Sequence, residues 1–335
     1  MTKHKRFLQM TRAAACAAAF FVVAACAHAQ STRNATAYPT KPVRLLVPFT
    51  PGGSQDVIAR LFGQLVGDAV GQQVVIDNRA GAGGLIAATE TAHANPDAYT
   101  LLLSGGAQIA IAPALNAKLA YDPVKDFIHV MHLVDLPLVL IVNPALPAAN
   151  LREFVAYAKA NRGKVNTAST GRGTYTHLTI ELFNSITGAE LTHIPYKGAA
   201  PALNDLMGRQ IQAMFTTTTS AQPYTSTGRL KALGITAPKR SPTLADIPTF
   251  AEGGVANLNV SSWIGISVPA GSPAPAVRRL SDAFGQALQA PVLRERLAVL
   301  GAEPVGDTSE KFTRMVRADI DRWAKIIKSA GITID

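Results

Sequence analysis

Cysteine is almost missing from this chain. Its 335 residues contain two, Cys16 and Cys26, and both fall in an N-terminal stretch that reads as an export signal. The processed chain is therefore expected to have no thiol, which excludes a disulfide framework, a cysteine metal site and thiol catalysis. Aromatic residues make up only 6%. Basic residues outnumber acidic ones and give a formal charge of +10, but they are scattered, with Lys239-Arg240 and Arg278-Arg279 as the tight pairs of the later chain. A nucleic-acid surface concentrates positive charge in a stripe with interleaved aromatics, so no nucleic-acid partner is expected. A mild positive field that gathers small anions fits better. Histidines at metal-ligand spacing are also lacking. His93, His129, His132, His177 and His193 never form a pattern such as H-E-x-x-H, so neither metal nor cofactor is expected. Hydrophobic residues at 48% are enough for two domains with substantial cores.

Lys3, Lys5, Arg6 and Arg12 precede an apolar run from Ala13 to Ala25, and Ala27-His28-Ala29 fits a small-x-small cleavage site. Residues 1–29 thus read as a signal peptide for export to the periplasm, too short to be a convincing membrane span. Val23-Ala24-Ala25-Cys26 also matches a lipoprotein box in which Cys26 would be lipidated. Ordinary cleavage is preferred, because polar sequence follows Ala29 at once.

The chain is organised around Val43 to Asp56, VRLLVPFTPGGSQD. A short apolar run reads as a buried strand, Pro51-Gly52-Gly53 as a tight turn, and Ser54 as the start of a helix capped by Ser54 or Asp56. Ile58, Leu61, Phe62, Leu65 and Ala69 then recur at the spacing of one buried helix face. A strand, a glycine turn and a helix N-terminus make an anion cradle from backbone alone. No lysine follows the glycines, so this is not a nucleotide P-loop.

Strand and helix signals alternate onward from this point. Strands are expected at Val74–Ile76, Thr100–Leu103, Leu136–Val142, Val165–Ala168, Leu191–Pro195, Ile211–Phe215, Leu230–Ile235 and Trp263–Val268, with Tyr121–Phe127 irregular. Asn150 with Glu153 marks one helix start, and Gly188, Gly301 and Gly331 mark helix stops. The alternation predicts an α/β fold of doubly wound parallel sheets in two hinged lobes. Lobe 1 is expected over 38–140 plus 266–335 and lobe 2 over 141–265. Five small-polar loops, 50–56, 104–108, 169–176, 196–198 and 216–220, fall at the carboxyl ends of strands, where open sheets bind ligands. Hydroxyls and backbone amides would line such a cleft, which suits holding an anion rather than transforming it.

These residues resemble a known family. Tyr38-Pro39, Lys41-Pro42-Val43, Pro48 to Asp56, Asn78 to Gly84, Ser169 to Gly173 with His177-Leu178, Pro195-Tyr196-Lys197-Gly198, Lys239-Arg240-Ser241-Pro242, Ile247-Pro248-Thr249, Ser262-Trp263, Pro269 to Pro273 and Gly301 to Pro304 occur in the order seen in Bug-type periplasmic solute receptors of tripartite tricarboxylate transporters. The resemblance implies a type II periplasmic-binding-protein fold that closes on a small carboxylate and serves membrane transporter subunits, as a monomer. The implied ligand contacts are Phe49, Thr50, Gly52, Gly53, Ser54 and Asp56 in the first loop, with Ser104, Gly105 and Ala107 in the next. Ser169, Thr170, Gly173, Thr174 and His177 complete the clamp. Thr216, with the candidate contact Thr217 beside it in a run of four threonines, stands where many relatives carry an aspartate, and losing that acid removes a partner for a ligand amine. The ligand is therefore expected to be a carboxylic acid without an amino group. Arg79 is a candidate for a distal carboxylate, and a loop-fixing salt bridge is its alternative role.

Two other readings share these residues. One is a ligand-sensing module that feeds a two-component sensor. The other is an exported serine hydrolase using Ser54 or Ser169 with His177. The hydrolase lacks a G-x-S-x-G elbow, and no catalytic residue is assigned.

Overall fold

The structure, a computed structural model, describes residues 38–115, 118–241, 244–330 and 332. The expected signal peptide with both cysteines, Pro242 of the family motif and the helix stop at Gly331 lie outside the described residues. Residues Tyr38–Thr40 belong to a separate leading unit and form no regular element, while residues from Lys41 onward form one unit.

The organising stretch folds as read. Val43–Val47 is β1, with Leu45, Leu46 and Val47 fully buried, and Ser54–Val70 is α1, stopped by Gly71 in the left-handed region. Parallel partners follow through helical crossovers: β2 (Val74–Asn78), α2 (Leu85–Ala92) and β3 (Thr100–Gly105). A wide helical turn, Ala107–Ile111, then runs into α3 (Ala112–Leu115).

β4, Phe127–Val142, spans 16 residues, more than twice the expected strand. Beyond it lie α4 (Leu151–Ala160), β5 (Asn166–Ser169), α5 (Tyr175–Thr187), β6 (Thr192–Pro195), α6 (Ala199–Met207), β7 (Ala213–Thr217), α7 (Thr218–Thr225) and β8 (Lys231–Ile235). β9 (Ser261–Pro269), α8 (Ala274–Gln289), α9 (Pro291–Val299), β10 (Glu303–Asp307) and α10 (Ser309–Ala330) close the chain.

The strands run in the order β2-β1-β3-β9-β4-β7-β5-β6, with β10 and β8 also on β4. β1, β2 and β3 are parallel, as are β5, β6 and β7. The expectation of parallel sheets fails at β9, which runs antiparallel to β3 and β4, and at β4, which runs antiparallel to β7, β8 and β10. Strands that carry the chain between two half-sheets have no helical crossover to set them parallel.

β4 belongs to both halves. Phe127 to Pro137 pair with β9, and Leu138 to Val142 pair with β7 and β8. Pro137, which argues against a central strand, sits at the handover, as the last β4 residue paired with β9. This α/β fold, with a curled sheet in two halves, is the two-lobed architecture expected. A first core gathers Trp263, Phe312 and Trp323, and a second gathers Phe154, Phe183, Phe215 and Phe250. Three elements were not foreseen, the short α3 (Ala112–Leu115) among them. α7 was read as the tail of a threonine loop, and β10 is an exposed ribbon with little apolar signal. Among the described residues no helix is long and apolar enough to cross a membrane.

Candidate functional site

Three helix starts supply the walls of one cavity. At α1 the residue before the first turn is Gly53, and no side chain caps the helix. The expected cap, Asp56, turns back instead. Its Oδ2 accepts from the Gly52 N–H at 3.0 Å, and Arg60 holds it from the next turn at 2.9–3.0 Å. Burial pushes its pKa up, but the bonds from Arg60, Gly52 and Asn78 outweigh that and leave it below the ordinary carboxylate value. Ser54 N–H donates to Ser220 Oγ at 3.0 Å, so the first turns of α1 and α7 touch. At α5, Thr174 is the capping residue. Its hydroxyl meets Thr176 Oγ1 at 2.9 Å, and Thr176 Oγ1 in turn meets Thr170 Oγ1 at 2.9 Å, so the loop is knotted by its own hydroxyls. At α7, Thr217 is the cap and accepts from Ser220 N–H.

The cavity among them measures about 50 Å³. Phe49, Gly53, Ser54 and Gln55 form one wall, with Gly106 and Ala107 beside them. Thr170, Thr174, Tyr175 and Thr176 form the opposite wall, and Leu138, Ala199, Thr217 and Ser262 close the ends. None of these residues is charged. Gln55 is 8% exposed, and its Oε1 has no partner among the described residues.

Of the residues expected at the site, Phe49, Gly53, Ser54, Ala107, Thr170, Thr174 and Thr217 line this cavity. The remaining ones stand elsewhere. Gly52 and Asp56 brace the first turn, and Thr50 lies against Gly198. Ser104 is fully buried and accepts a hydrogen bond from Ser267 Oγ at 2.9 Å, while Gly105 sits between Gln55 and the Trp263 carbonyl. Thr216 is fully buried next to Thr217, and its Oγ1 has no partner among the described residues. Gly173 borders a second recess of about 160 Å³, which shares Ala107 with the cavity and also touches Gly83 and Arg172. Arg79 joins Asp77 at 3.1 Å and Glu90 at 3.6 Å, in a network with Arg44. That geometry matches its alternative role as a loop-fixing salt bridge.

His177 is 4% exposed and does not line the cavity. Its Nδ1 accepts from Gly173 N–H at 3.1 Å, its Nε2 is 3.6 Å from Glu181, and its ring stacks on His193 at 4.0 Å. The sequence shows no sign of this His177–Glu181–His193 cluster, whose ligand-type atoms all lie within 4.8 Å of one another. The Gly173 N–H occupies His177 Nδ1, so that nitrogen is not free to ligate a metal. Burial and the neighbouring His177 push the His193 pKa down to about 3. Ser169, fully buried, meets His193 Nε2 at 2.6 Å and exchanges hydrogen bonds with Gly171. A serine with no exposed surface has no access to a substrate, which argues against Ser169 as a nucleophile.

Gln55, Gly106, Tyr175 and Thr176 also line the cavity and fall within the loops expected at the cleft, though none was among the implied contacts, whereas Leu138, Ala199 and Ser262 were not foreseen. Gln55 and Thr176 adjoin foreseen residues. Leu138, Ala199 and Ser262 come from the handover in β4 and from the starts of α6 and β9, where no local pattern marks a ligand.

Comparison with known proteins bears on this geometry. A model described as the tripartite tricarboxylate transporter family receptor matches residues 58–332. Protein BugT of Bordetella pertussis (strain Tohama I) is 36% identical over 97% of this chain and 99% of its own. Among solved structures, R. palustris Rpa4515 with adipate is 34% identical, with a TM-score of 0.86 over 88% of this chain and 99% of that one. MatC of Rhodopseudomonas palustris with bound malate is also 34% identical, with a TM-score of 0.83 over 87% of this chain and 100% of that one.

Proposed function

Because this chain belongs to the tripartite tricarboxylate transporter receptor family, the Bug/TctC periplasmic solute-binding proteins, we propose that it captures a small carboxylic acid without an amino group and delivers it to the membrane subunits of such a transporter. The observation that carries this reading is the cavity where α1, α5 and α7 begin, walled by hydroxyls and free of charged side chains. A helix N-terminus acts as about half a positive charge. Three of them hold a carboxylate by dipoles and neutral donors, without a counter-cation and without the repulsion that a lining acid would add. A ligand amine finds no carboxylate partner in these walls, and Thr216-Thr217 keep that position neutral.

The cavity volume favours a compact acid. A short, flexible aliphatic acid fits so small a cavity more readily than a rigid aromatic one. The acids seen with relatives, adipate and malate, are of this aliphatic class. The lobes of the clamp are taken as 38–140 with 266–335 and 141–265, so that the ligand lies between them, and the protein acts as a monomer exported by residues 1–29.

A thermal-shift screen of residues 30–335 against carboxylic acids and amino acids tests the proposal. A ligand at a hundredfold over its dissociation constant stabilises the folded state by about 2.7 kcal/mol. The expected result is a shift confined to aliphatic acids and weakened in Gln55→Leu. Tight binding of amino acids, with dicarboxylates ignored, would overturn it.

A further inference from the structure

Tyr175 does more than line the cavity. It opens α5, directly after the capping Thr174, and its side chain leaves the β5–β8 half to enter the other. There its hydroxyl donates to Asp319 Oδ2 of α10 at 2.6 Å, and the same oxygen accepts from Trp263 Nε1 of β9 at 2.8 Å. The ring meets Trp323 edge-on at 5.2 Å, and its far end fills the space where a Cβ on Gly106 would otherwise stand. Tyr175 is 4% exposed and Asp319 8%. Burial first, then the Asp319 charge, pushes the phenol pKa well above its ordinary value, so this group is a permanent donor.

We propose that Tyr175 is a positioning residue for ligand capture: its bond to Asp319 bolts the cradle loop 170–176 to the α10 face, and closure on the ligand and seating of the bolt are one event. The proposal rests on the cavity being the ligand site. The reasoning is mechanical. Thr174 and Thr176 flank Tyr175 and touch the cavity, as does Gly106, which the phenol covers. Two cavity walls from different halves are therefore tied together through one side chain. A bolt of this kind slows ligand departure and leaves ligand arrival unchanged, because it engages after entry.

The chain carries its own reporter. It contains two tryptophans, and both, Trp263 and Trp323, touch this bolt. Intrinsic fluorescence in stopped flow, with malate and adipate as probes, follows the bolt in wild type, Tyr175→Phe, Asp319→Asn and the double variant. In Tyr175→Phe we expect dissociation at least about tenfold faster, association within about twofold of wild type, and the ligand-free melting temperature within about a degree. The double variant should be no worse than the poorer single one, since each removes the same bond. Wild-type dissociation from Tyr175→Phe, or a loss of ligand-free stability that accounts for the whole effect, would overturn the bolt. Failure of the wild-type protein to respond to either probe or to any acid of the wider screen removes the cavity reading and the bolt with it. That outcome is distinct from binding that the variants leave untouched.

Discussion

Gly83 holds φ near +65°, and a Cβ there would come within 2.6 Å of the Arg172 carbonyl, across the recess beside the cavity. A side chain at this point needs both a left-handed backbone and a displaced loop. Gly83→Ala should therefore weaken ligand binding by about tenfold or more, read by calorimetry, while lowering ligand-free stability by only about 1–2 kcal/mol. A second residue sets a pH response. His129 bonds Ser267 Oγ and the Pro123 carbonyl, and burial drives its pKa down from 6.5 to about 4. The unfolded chain then binds a proton that the folded one refuses, so stability is complete above about pH 6.5 and is lost as pH falls toward 4. Denaturant titrations between pH 7 and 4.5 should show this loss, and His129→Gln should flatten it by up to about 1.4 kcal/mol per pH unit. At this scale the first cradle could be read in the sequence because turn glycines and a helix start are local chemistry. Tyr175 could not, since its partner Asp319 lies 144 residues away.

Among the elements, α4 shows how far local signals reach. Asn150 Oδ1 accepts from Glu153 N–H at 3.0 Å, and Glu153 reaches back to the Ala149 N–H and the Asn150 amide. Asn150→Ala should cost about 1 kcal/mol, measured by chemical denaturation. α5 depends on packing instead. Phe183 is fully buried with its ring about 6 Å from those of Phe154, Phe215 and Phe250. Phe183→Ala should cost about 3–5 kcal/mol, because the three surrounding rings cannot collapse into the space. Boundaries set by a cap or by a left-handed glycine such as Gly188 were legible. The extent of β4 was not, because its pairing with β9 depends on residues more than a hundred positions on, and Pro137 reads locally as a break.

At the level of the whole molecule the two halves share both strand and core. Leu138, Tyr175 and Leu178 pack in the same cluster as Trp263, Phe312 and Trp323. Denaturation followed by tryptophan fluorescence, which senses the first core alone, should coincide with that followed by far-ultraviolet circular dichroism, which senses every element. Separate midpoints would mean that the halves unfold independently. The parallel triplets on either side could be inferred from alternating strand and helix signals. The antiparallel crossing that joins them could not, since no local pattern records direction. A strand of 16 residues that hydrogen-bonds first to one half-sheet and then to the other is no free joint. Loops pivot, but a paired strand can only twist, a little at each residue, against ladders on both sides. It is a leaf spring: any change of angle between the halves is spread along its length, is limited in amplitude and is opposed elastically, so the resting angle of the empty receptor is built into the curl of the sheet itself.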